Sequence, residues 1–209
     1  MTGFDLKIIA MVTMLIDHIG SIFFPRYIVL RIIGRLSFML YCFLLVQGYT
    51  YTRNLKKYLL RILIFAFVSE IPFNLAFYNS IFYIYSQNIF FTLLLGLICI
   101  YLCEHFYKNN FKCAASIIIC CIIAEIIKCD YGAIGILMII GFYLFKNNFN
   151  QLFLWEFLFT LFLPLEIFSL VSFIFIKFYN GQKGKSLGYA AYLFYPLHLI
   201  ILYFITLII

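Results

Sequence analysis

The sequence predicts an all-helical protein that crosses a membrane several times. Hydrophobic residues make up 66% of its 209 residues, charged residues only 11%, and the mean hydropathy is +1.08. A soluble domain is about half apolar and about a quarter charged, so a soluble enzyme, a disordered regulator and a conventional nucleic-acid-binding domain are excluded. The apolar runs are continuous instead of alternating every two residues, which fits a helical bundle and fits a β-barrel badly.

Prolines and polar breaks divide the chain into apolar segments of membrane-helix length. The first helix is expected at about 6–24 and ends before Pro25. Further helices are expected at about 27–51, 57–78, 88–107, 111–128, 131–146 and 187–208. Residues 151–179 leave two alternatives, one long helix kinked at Pro164 or two short passes that meet near Pro164. Residues 1–209 are therefore expected to form a single membrane domain.

The basic residues predict which loops share a face. Lys7 lies at the start of the first helix, on the side of the N-terminus. The basic residues that follow the second, fourth and sixth helices are Arg53, Lys56, Lys57, Lys108, Lys112 and Lys146. By the positive-inside rule their face is cytoplasmic. Lys177, Lys183 and Lys185 belong on the same side, which requires an even number of crossings between Lys146 and Lys177. Two short passes or a re-entrant hairpin satisfy this requirement, and a single helix does not. We therefore expect about nine membrane segments, with eight as the alternative, and a cytoplasmic N-terminus.

Neither the net charge nor the cysteines indicate a further class of function. The formal net charge of +7 comes from basic residues in groups of one to three, which is a topology signal and not a nucleic-acid footprint. The seven cysteines form no CxxC motif, and no histidine lies at zinc-finger spacing. We therefore expect no metal and interpret the cysteines as small packing residues.

Ionisable residues inside the helices are the candidate site, because charges within a bilayer are costly and mostly functional. At about 1.5 Å per residue, His18 lies roughly 16 Å from the basic face, and Glu70 and His198 lie roughly 20 Å from it. Arg35 lies roughly 15 Å from the opposite face. Four ionisable groups on four helices thus reach one layer. Other polar residues lie nearer the outer face: Arg31, Asn74, Gln87, Asn88 and Asp130.

Each of these residues has a structural interpretation beside the functional one. Asp17 lies on a stripe of small residues that should point into the bundle, next to His18, so it is expected to orient His18 or raise its basicity. The same two residues also fit a purely structural hydrogen bond. Arg35 fits a buried ion pair with Asp17 or Glu70. His198 fits a side chain that bonds to a backbone carbonyl at a helix kink.

Five stretches of the chain carry a specific combination of motifs. They are LKIIAMVTMLIDHIGSIFFP (6–25), RIIGRLSFMLYCFLLVQGYTYTRNLKKYLLRILIFAFVSEIPFNLAF (31–77), QNIFFTLLLG (87–96), DYGAIGIL (130–137) and LGYAAYLFYPLHLIIL (187–202). Together they resemble the TraX family, named for the protein that N-acetylates F-type pilin during conjugation. The chain is similar, more distantly, to the transmembrane acyltransferases that use acetyl-CoA.

The resemblance implies an acetyltransferase in the cell membrane of a bacterium. Cytoplasmic acetyl-CoA would serve as co-substrate, and the acceptor would be a pilin-like peptide N-terminus or a glycan at the outer face. His18 would act as the base or carry the acetyl group, with Asp17 orienting it. Arg31 and Arg35 form an R-x-x-x-R pair of the kind associated with CoA or acyl recognition, which also suits oxyanion stabilisation. The remaining cavity residues would be Glu70, Asn74, Asn88 and His198.

The inner lysines and two competing functions complete the expectations. Lys56, Lys57, Lys183 and Lys185 are candidate contacts for the CoA phosphates. The expected surroundings are membrane lipid, without a nucleic-acid partner. A transporter or ion-coupled carrier would use the same charges as a proton relay, although no inverted repeat is visible. A non-catalytic membrane assembly factor would keep the fold and be indifferent to the loss of His18.

Overall fold

The computed structural model describes residues 1–208, and the regular secondary structure in that range is helical apart from one isolated bridge between Gln87 and Cys129. The α-helices are α1 (Gly3–Phe23), α2 (Ile28–Gly34), α3 (Leu36–Tyr51), α4 (Leu55–Tyr78), α5 (Ile89–His105), α6 (Asn110–Ile126), α7 (Gly132–Leu144), α8 (Phe149–Thr160), α9 (Ser172–Lys177) and α10 (Ala190–Thr206). A 3₁₀ helix, Glu166–Val171, precedes α9. The predicted all-helical class is confirmed.

Three helical stretches are long and apolar enough to cross a membrane: α1, the pair α2 and α3 taken together, and α4. The predicted second helix is interrupted at Arg35, whose backbone stays in the right-handed helical region. Large apolar side chains such as Phe67, Ile126 and Phe162 are exposed on the outside of the bundle, while Leu6, Met39, Leu97 and Leu199 are buried within it. An outer surface this apolar matches lipid and not water.

Polar residues begin most of the long helices, because the first backbone N–H groups of a helix lack partners within it. Thr2 and Asp5 form a capping box at the start of α1. Asparagine side chains accept from backbone N–H groups at the starts of α4, α5, α6 and α8, namely Asn54, Asn88, Asn109 and Asn148. These caps account for the positions at which the helices start after each loop.

The ambiguous region 151–179 is a hairpin. Helix α8 ends at Thr160, and the chain turns through Pro164 into the 3₁₀ helix and α9. The rings of Phe149 and Phe153, near the start of α8, lie 5.5 Å and 5.2 Å from the ring of Phe173 in α9. The two arms therefore run side by side in opposite directions, and the alternative of one long kinked helix is wrong.

The loops gather on two opposite ends of the bundle. At one end Gly3 N donates to Gln182 O at 2.8 Å, and Tyr49 and Tyr143, from α3 and α7, both donate to Glu104 of α5. At the other end, Gln87 bridges to Cys129. We call the first end the basic face, since it carries Lys7, Arg53, Lys56, Lys57, Lys108, Lys112, Lys146, Lys177, Lys183 and Lys185.

Candidate active site

Two histidines from the first and last helices form a stacked pair. Nδ1 of His18 lies 2.6 Å from Nε2 of His198, and the two rings are nearly parallel with centroids 4.9 Å apart. His198 is buried, and His18 is half-buried against the rings of Phe77 and Tyr195. The structure thus brings together two residues that are 180 positions apart in the chain and for which the sequence predicts a similar depth.

The hydrogen bonds of the pair define the positions of its protons. Nδ1 of His198 lies 2.6 Å from the carbonyl oxygen of Phe194, and a carbonyl only accepts, so this nitrogen carries a proton. In a neutral ring Nε2 of His198 is then an acceptor, and it receives the bond from Nδ1–H of His18. Nε2 of His18 is left with a free lone pair. A histidine held this way is prepared to accept a proton or to attack a carbonyl carbon.

A separate network holds the charged residues, and we call it the charge network. Nη2 of Arg35 lies 2.7 Å from Oδ1 of Asp17, and Nη1 of Arg31 lies 2.9 Å from its Oδ2. Arg35 also donates from Nη1 to Glu166 at 2.9 Å and to the Tyr131 hydroxyl at 3.2 Å. Two arginines thus face two carboxylates, which is the pairing that intramembrane charges require.

The expectation that Asp17 orients His18 is corrected here. The Asp17 carboxylate binds the two arginines, and the side chain that bonds to His18 is His198. Adjacent residues on a helix point about 100° apart, so each reaches a different neighbouring element. Of the two ion pairs expected for Arg35, the one with Asp17 is present, while Glu70 has other partners.

Glu70 lies in a pocket of amides. Its Oε2 accepts from Asn88 at 2.5 Å and its Oε1 from Asn74 at 3.3 Å, and both asparagines are buried. Asn88 also caps α5 and donates to the carbonyl oxygen of Ala66 at 2.8 Å. No ion pair reaches Glu70 from any residue within 1–208. Phe77, two turns along the same face of α4, contacts the His18 ring, so this half-buried carboxylate lies on the side of the histidine pair.

A cavity of about 510 Å³, which we call the basic-face cavity, opens at the basic face and runs into the bundle. Its open end is lined by the cations Lys7, Arg61 and Lys183. Its walls are apolar or aromatic, including Leu44, Ile62 and Leu93. Such a volume suits a ligand of drug or cofactor size, with cations at one end and an apolar channel behind them.

The lining of the basic-face cavity leads to the histidine pair. On α1 it is lined by Gly3, Lys7, Met11 and Met14, and the next position on that helical face is His18. On α10 it is lined by Ala191, Tyr192 and Tyr195, and the next position is His198. Tyr195 ends the cavity and packs edge-on against both imidazoles, with ring centroids 5.9 Å and 5.7 Å away. Neither histidine lines the cavity itself, so the Tyr195 ring separates its inner end from the histidine pair.

The predicted lysines fall in different places. Lys183 lines the basic-face cavity, whereas Lys56 and Lys185 do not. Lys57 lines a second cavity of about 550 Å³ beside the first, which we call the side cleft. Arg61 lines both, and sequence reasoning missed it. Arg61 follows Lys57 by four residues and lies one helical turn deeper on the same face, and this spacing could have identified it from the sequence.

Sequence reasoning also missed three polar members of the buried layer. The sequence assigns Glu166 only to the Pro164 turn and Tyr131 only to a motif, yet both bond to Arg35. Glu156 of α8 is fully buried, and neither of its carboxyl oxygens has a hydrogen-bond partner within the described chain. Because α8 lies in the region for which the sequence allows two paths, residue counting gives no single depth for Glu156.

Fold and site together define a helical membrane protein with a cavity that opens on a basic face and a histidine pair behind Tyr195 at the inner end of that cavity. The chain belongs to the TraX family: the family profile, described as TraX protein, matches residues 3–206. No solved structure matches the chain.

Two relatives are similar to this chain. A probable fimbrial assembly protein FimC, serogroup H1, of Dichelobacter nodosus is 30% identical over 233 aligned positions, which cover 96% of this chain and 94% of that protein. An uncharacterized protein of Rickettsia prowazekii (strain Madrid E) is 32% identical over 142 positions, which cover 66% of this chain and 53% of that protein. This chain thus aligns with about half of the rickettsial protein.

Proposed function

We propose that the protein is an integral-membrane acetyltransferase that moves an acetyl group from acetyl-CoA to an amine presented at the opposite side of the membrane. The observation that carries the proposal is the convergence of two cavity-lining helical faces, on α1 and α10, at His18 and His198. A donor entering from the basic face would reach Tyr195 at the end of its path, and displacement of that ring would expose a histidine nitrogen with a free lone pair.

The membrane orientation follows from the positive-inside rule. In our proposal the basic face is cytoplasmic, the chain crosses the bacterial inner membrane in about nine segments, and the N-terminus is inside. The two arms of the 149–177 hairpin count as two of those segments. The loops 24–27, 79–88 and 127–131 then face outward, beside Glu70 and the charge network.

Acetyl-CoA fits the chemistry of the basic-face cavity. Lys7, Arg61 and Lys183 at the open end would hold phosphates, and the apolar walls would accept the pantetheine arm. The bound donor supplies an activated thioester. Lys183 keeps its predicted phosphate role, whereas Lys56, Lys57 and Lys185 lie outside this cavity.

His18 acts as general base in the proposed reaction. The bound acceptor ammonium first gives one proton to the Glu70 carboxylate, the neutral amine nitrogen then attacks the thioester carbonyl carbon, the carbon–sulfur bond breaks, and CoA leaves as a thiolate. Nε2 of His18 takes the proton that the amine loses and then returns it to the thiolate. His198 is a positioning residue, since its Nε2 fixes the ring and the tautomer of His18 through Nδ1. Tyr195 separates the pair from the cavity until the donor displaces its ring.

The acceptor is an amine in this proposal because Glu70 is an anion without a cation. Its carboxylate is held by two buried amides, and within the described residues no basic group neutralises it. An ammonium group would complete the ion pair, whereas a sugar hydroxyl of a glycan would leave the charge uncompensated. The name of the Dichelobacter relative refers to fimbrial assembly, so a fimbrial subunit with a free N-terminus is the acceptor we infer.

The charge network has a supporting role in this scheme. The guanidinium of Arg35 is bonded to Asp17, Glu166 and Tyr131, and the side chain is only 15% exposed. Arg35 therefore positions α1 beside α3. Arg31 is more open, at 29% exposure, and keeps N–H groups for an oxyanion or an acyl group. Asp17 therefore acts through the fold and not on the substrate.

The proposal is tested with purified protein, radiolabelled acetyl-CoA and a peptide with a free N-terminus. We expect label in the peptide, and a loss of about 10²–10⁴-fold for His18→Ala, the range for removal of a general base. His105→Ala is the matched control, because His105 is an exposed histidine at the end of α5. Folded wild-type protein that neither binds nor turns over acetyl-CoA would contradict the proposal.

Further assays separate the alternative functions. A non-catalytic assembly factor would be indifferent to His18→Ala in a pilus-assembly assay. A carrier would move a solute into vesicles without consuming acetyl-CoA. Glu70→Gln should raise the KM for the peptide without changing the affinity for acetyl-CoA, because the amide keeps the shape of the carboxylate and loses its charge. An unchanged KM for the peptide would remove Glu70 from the acceptor site.

A further inference from the structure

The side cleft carries three cations on one edge. It is lined by Thr52, Arg53, Asn54, Lys57, Arg61 and, from the start of the last helix, Tyr189. Arg53 and Lys57 are exposed at the basic face, and Arg61 lies one turn deeper on α4. The three ion pairs among residues 1–208 all belong to the charge network, so no acidic side chain there neutralises these cations. The cleft therefore presents an uncompensated positive edge.

The other edge of the cleft is apolar and faces outward from the bundle. Leu60 is 54% exposed and Ile64 is 48% exposed, and both lie on the face of α4 that carries Lys57 and Arg61. Phe65 forms the buried floor. Cations at the membrane surface, followed by apolar residues one to two turns deeper, match an amphiphile with an anionic head and a hydrocarbon tail.

We propose that the side cleft binds an anionic phospholipid. The headgroup phosphate contacts Arg53, Lys57 and Arg61, and an acyl chain lies along Leu60 and Ile64. Charge complementarity selects an anionic lipid over a zwitterionic one, because a zwitterionic headgroup brings a cation of its own toward Arg53 and Lys57. The cavity volume of about 550 Å³ is large enough for a headgroup and part of one chain.

The bound lipid would also stabilise the wall of the basic-face cavity. Arg61 lines both cavities, and its guanidinium lies over the rings of Tyr58 and Tyr192, at 5.7 Å and 5.8 Å from their centroids. Both tyrosines line the basic-face cavity. A phosphate bound to Arg61 from the side cleft would hold Arg61, Tyr58 and Tyr192 in place between the two cavities. The inference does not depend on the reaction that the protein catalyses.

Native mass spectrometry of the purified protein with added phosphatidylglycerol or phosphatidylcholine tests the proposal. Wild-type protein should retain phosphatidylglycerol selectively. The double variant Arg53→Gln/Lys57→Gln should bind it roughly twenty-five-fold more weakly, since each basic residue near an anionic lipid contributes about fivefold. Arg53→Lys/Lys57→Arg keeps both charges and should bind as wild type does. Lys108→Gln/Lys112→Gln is the matched control, as it removes two exposed cations of the same face far from the cleft.

Three results would overturn the proposal. Equal retention of the two lipids by wild-type protein would show that the cleft does not select charge. An equal loss in the Lys108/Lys112 variant would reduce the effect to the general charge of the basic face. Weakened binding of CoA, with unchanged binding of phosphatidylglycerol, in Arg53→Gln/Lys57→Gln would assign the cleft to the phosphates of CoA instead. Elution as a single folded species on size exclusion shows for each variant that its binding result is meaningful.

Discussion

Asp17 and His18 are neighbours on α1, yet they belong to regions of opposite character. Asp17 enters the charge network, where two arginines saturate both of its carboxylate oxygens. His18 enters the histidine pair, where one nitrogen is bonded and the other keeps a free lone pair. A saturated group stabilises the bundle, whereas an unsaturated one is available for chemistry. One helical step of about 100° therefore separates a fully paired carboxylate from a histidine with one nitrogen left unbonded.

The largest expected effect is on stability, from Asp17→Ala. Two partly buried guanidinium groups would lose their shared anion, which costs up to about 3–5 kcal/mol. Thermal unfolding in detergent, followed by the reaction of buried cysteines such as Cys42 and Cys99 with a thiol dye, measures this loss. Asp5→Ala on the same helix removes only a cap and should cost about 1 kcal/mol. If His18→Ala is as destabilising as Asp17→Ala, the contrast between the two regions is wrong.

Gly34→Ala tests the packing of the charge network. An added Cβ at Gly34 would overlap the carboxylate of Asp17, so we expect a cost of about 1–3 kcal/mol in the same unfolding assay. In an Asp17→Gly background, which removes the Cβ of residue 17 as well as its carboxylate, the additional cost should largely disappear. Strictly additive losses in the double variant would show that Gly34 and Asp17 do not share this contact.

His198→Leu tests the other region by activity. Removing the acceptor for Nδ1 of His18 should lower acetyl transfer by about tenfold to a hundredfold, the range typical when an orienting partner is lost. His198→Gln should recover most of that loss, because its side-chain oxygen accepts the same hydrogen bond. A merely structural histidine would show no such rescue, and equal activities of the two variants would exclude the positioning role.

The smallest effect is expected for Glu156→Gln. This buried carboxyl has no hydrogen-bond partner within the described chain, so an isosteric amide should change the unfolding free energy by less than about 1 kcal/mol. Glu166→Gln is the contrasting variant, because it removes the ion pair with Arg35 and should be clearly more destabilising. Strong loss of stability in Glu156→Gln would indicate that the Glu156 carboxyl gains a partner through motion of the bundle.

The sequence predicts depth better than direction. Counting residues from the basic face puts His18 and His198 at similar heights, and the structure brings them within 2.6 Å. The partner of each side chain depends on how far its helix is rotated about its axis, and tertiary packing sets that rotation. This is why the sequence pairs His18 with Asp17, its neighbour in the chain, and not with His198 on the last helix.

Residues in interrupted helices are the hardest to predict. Depth follows from position only where a helix is straight and long, as in α1 and α4. Glu156 and Glu166 lie in the hairpin around Pro164, where the sequence allows two paths of the chain, so their membership of the buried layer does not follow from residue counting. Arg61 could be predicted from the sequence, since it follows Lys57 by one helical turn. Its role, however, depends on its contacts with Tyr58 and Tyr192, which come from two different helices.

The short arms of the 149–177 hairpin also make the protein uneven in hydrophobic thickness. Helix α4 has 24 residues and is about 36 Å long, whereas α8 has 12 and is about 18 Å long, against a hydrocarbon layer of about 30 Å. In the proposed topology, where each arm of the hairpin crosses the membrane, the bilayer would thin locally along one flank of the molecule and not along the other. Shorter acyl chains would relieve that mismatch on the thin flank, so the thickness of the host membrane acts on the same hairpin that supplies Glu166 to the charge network.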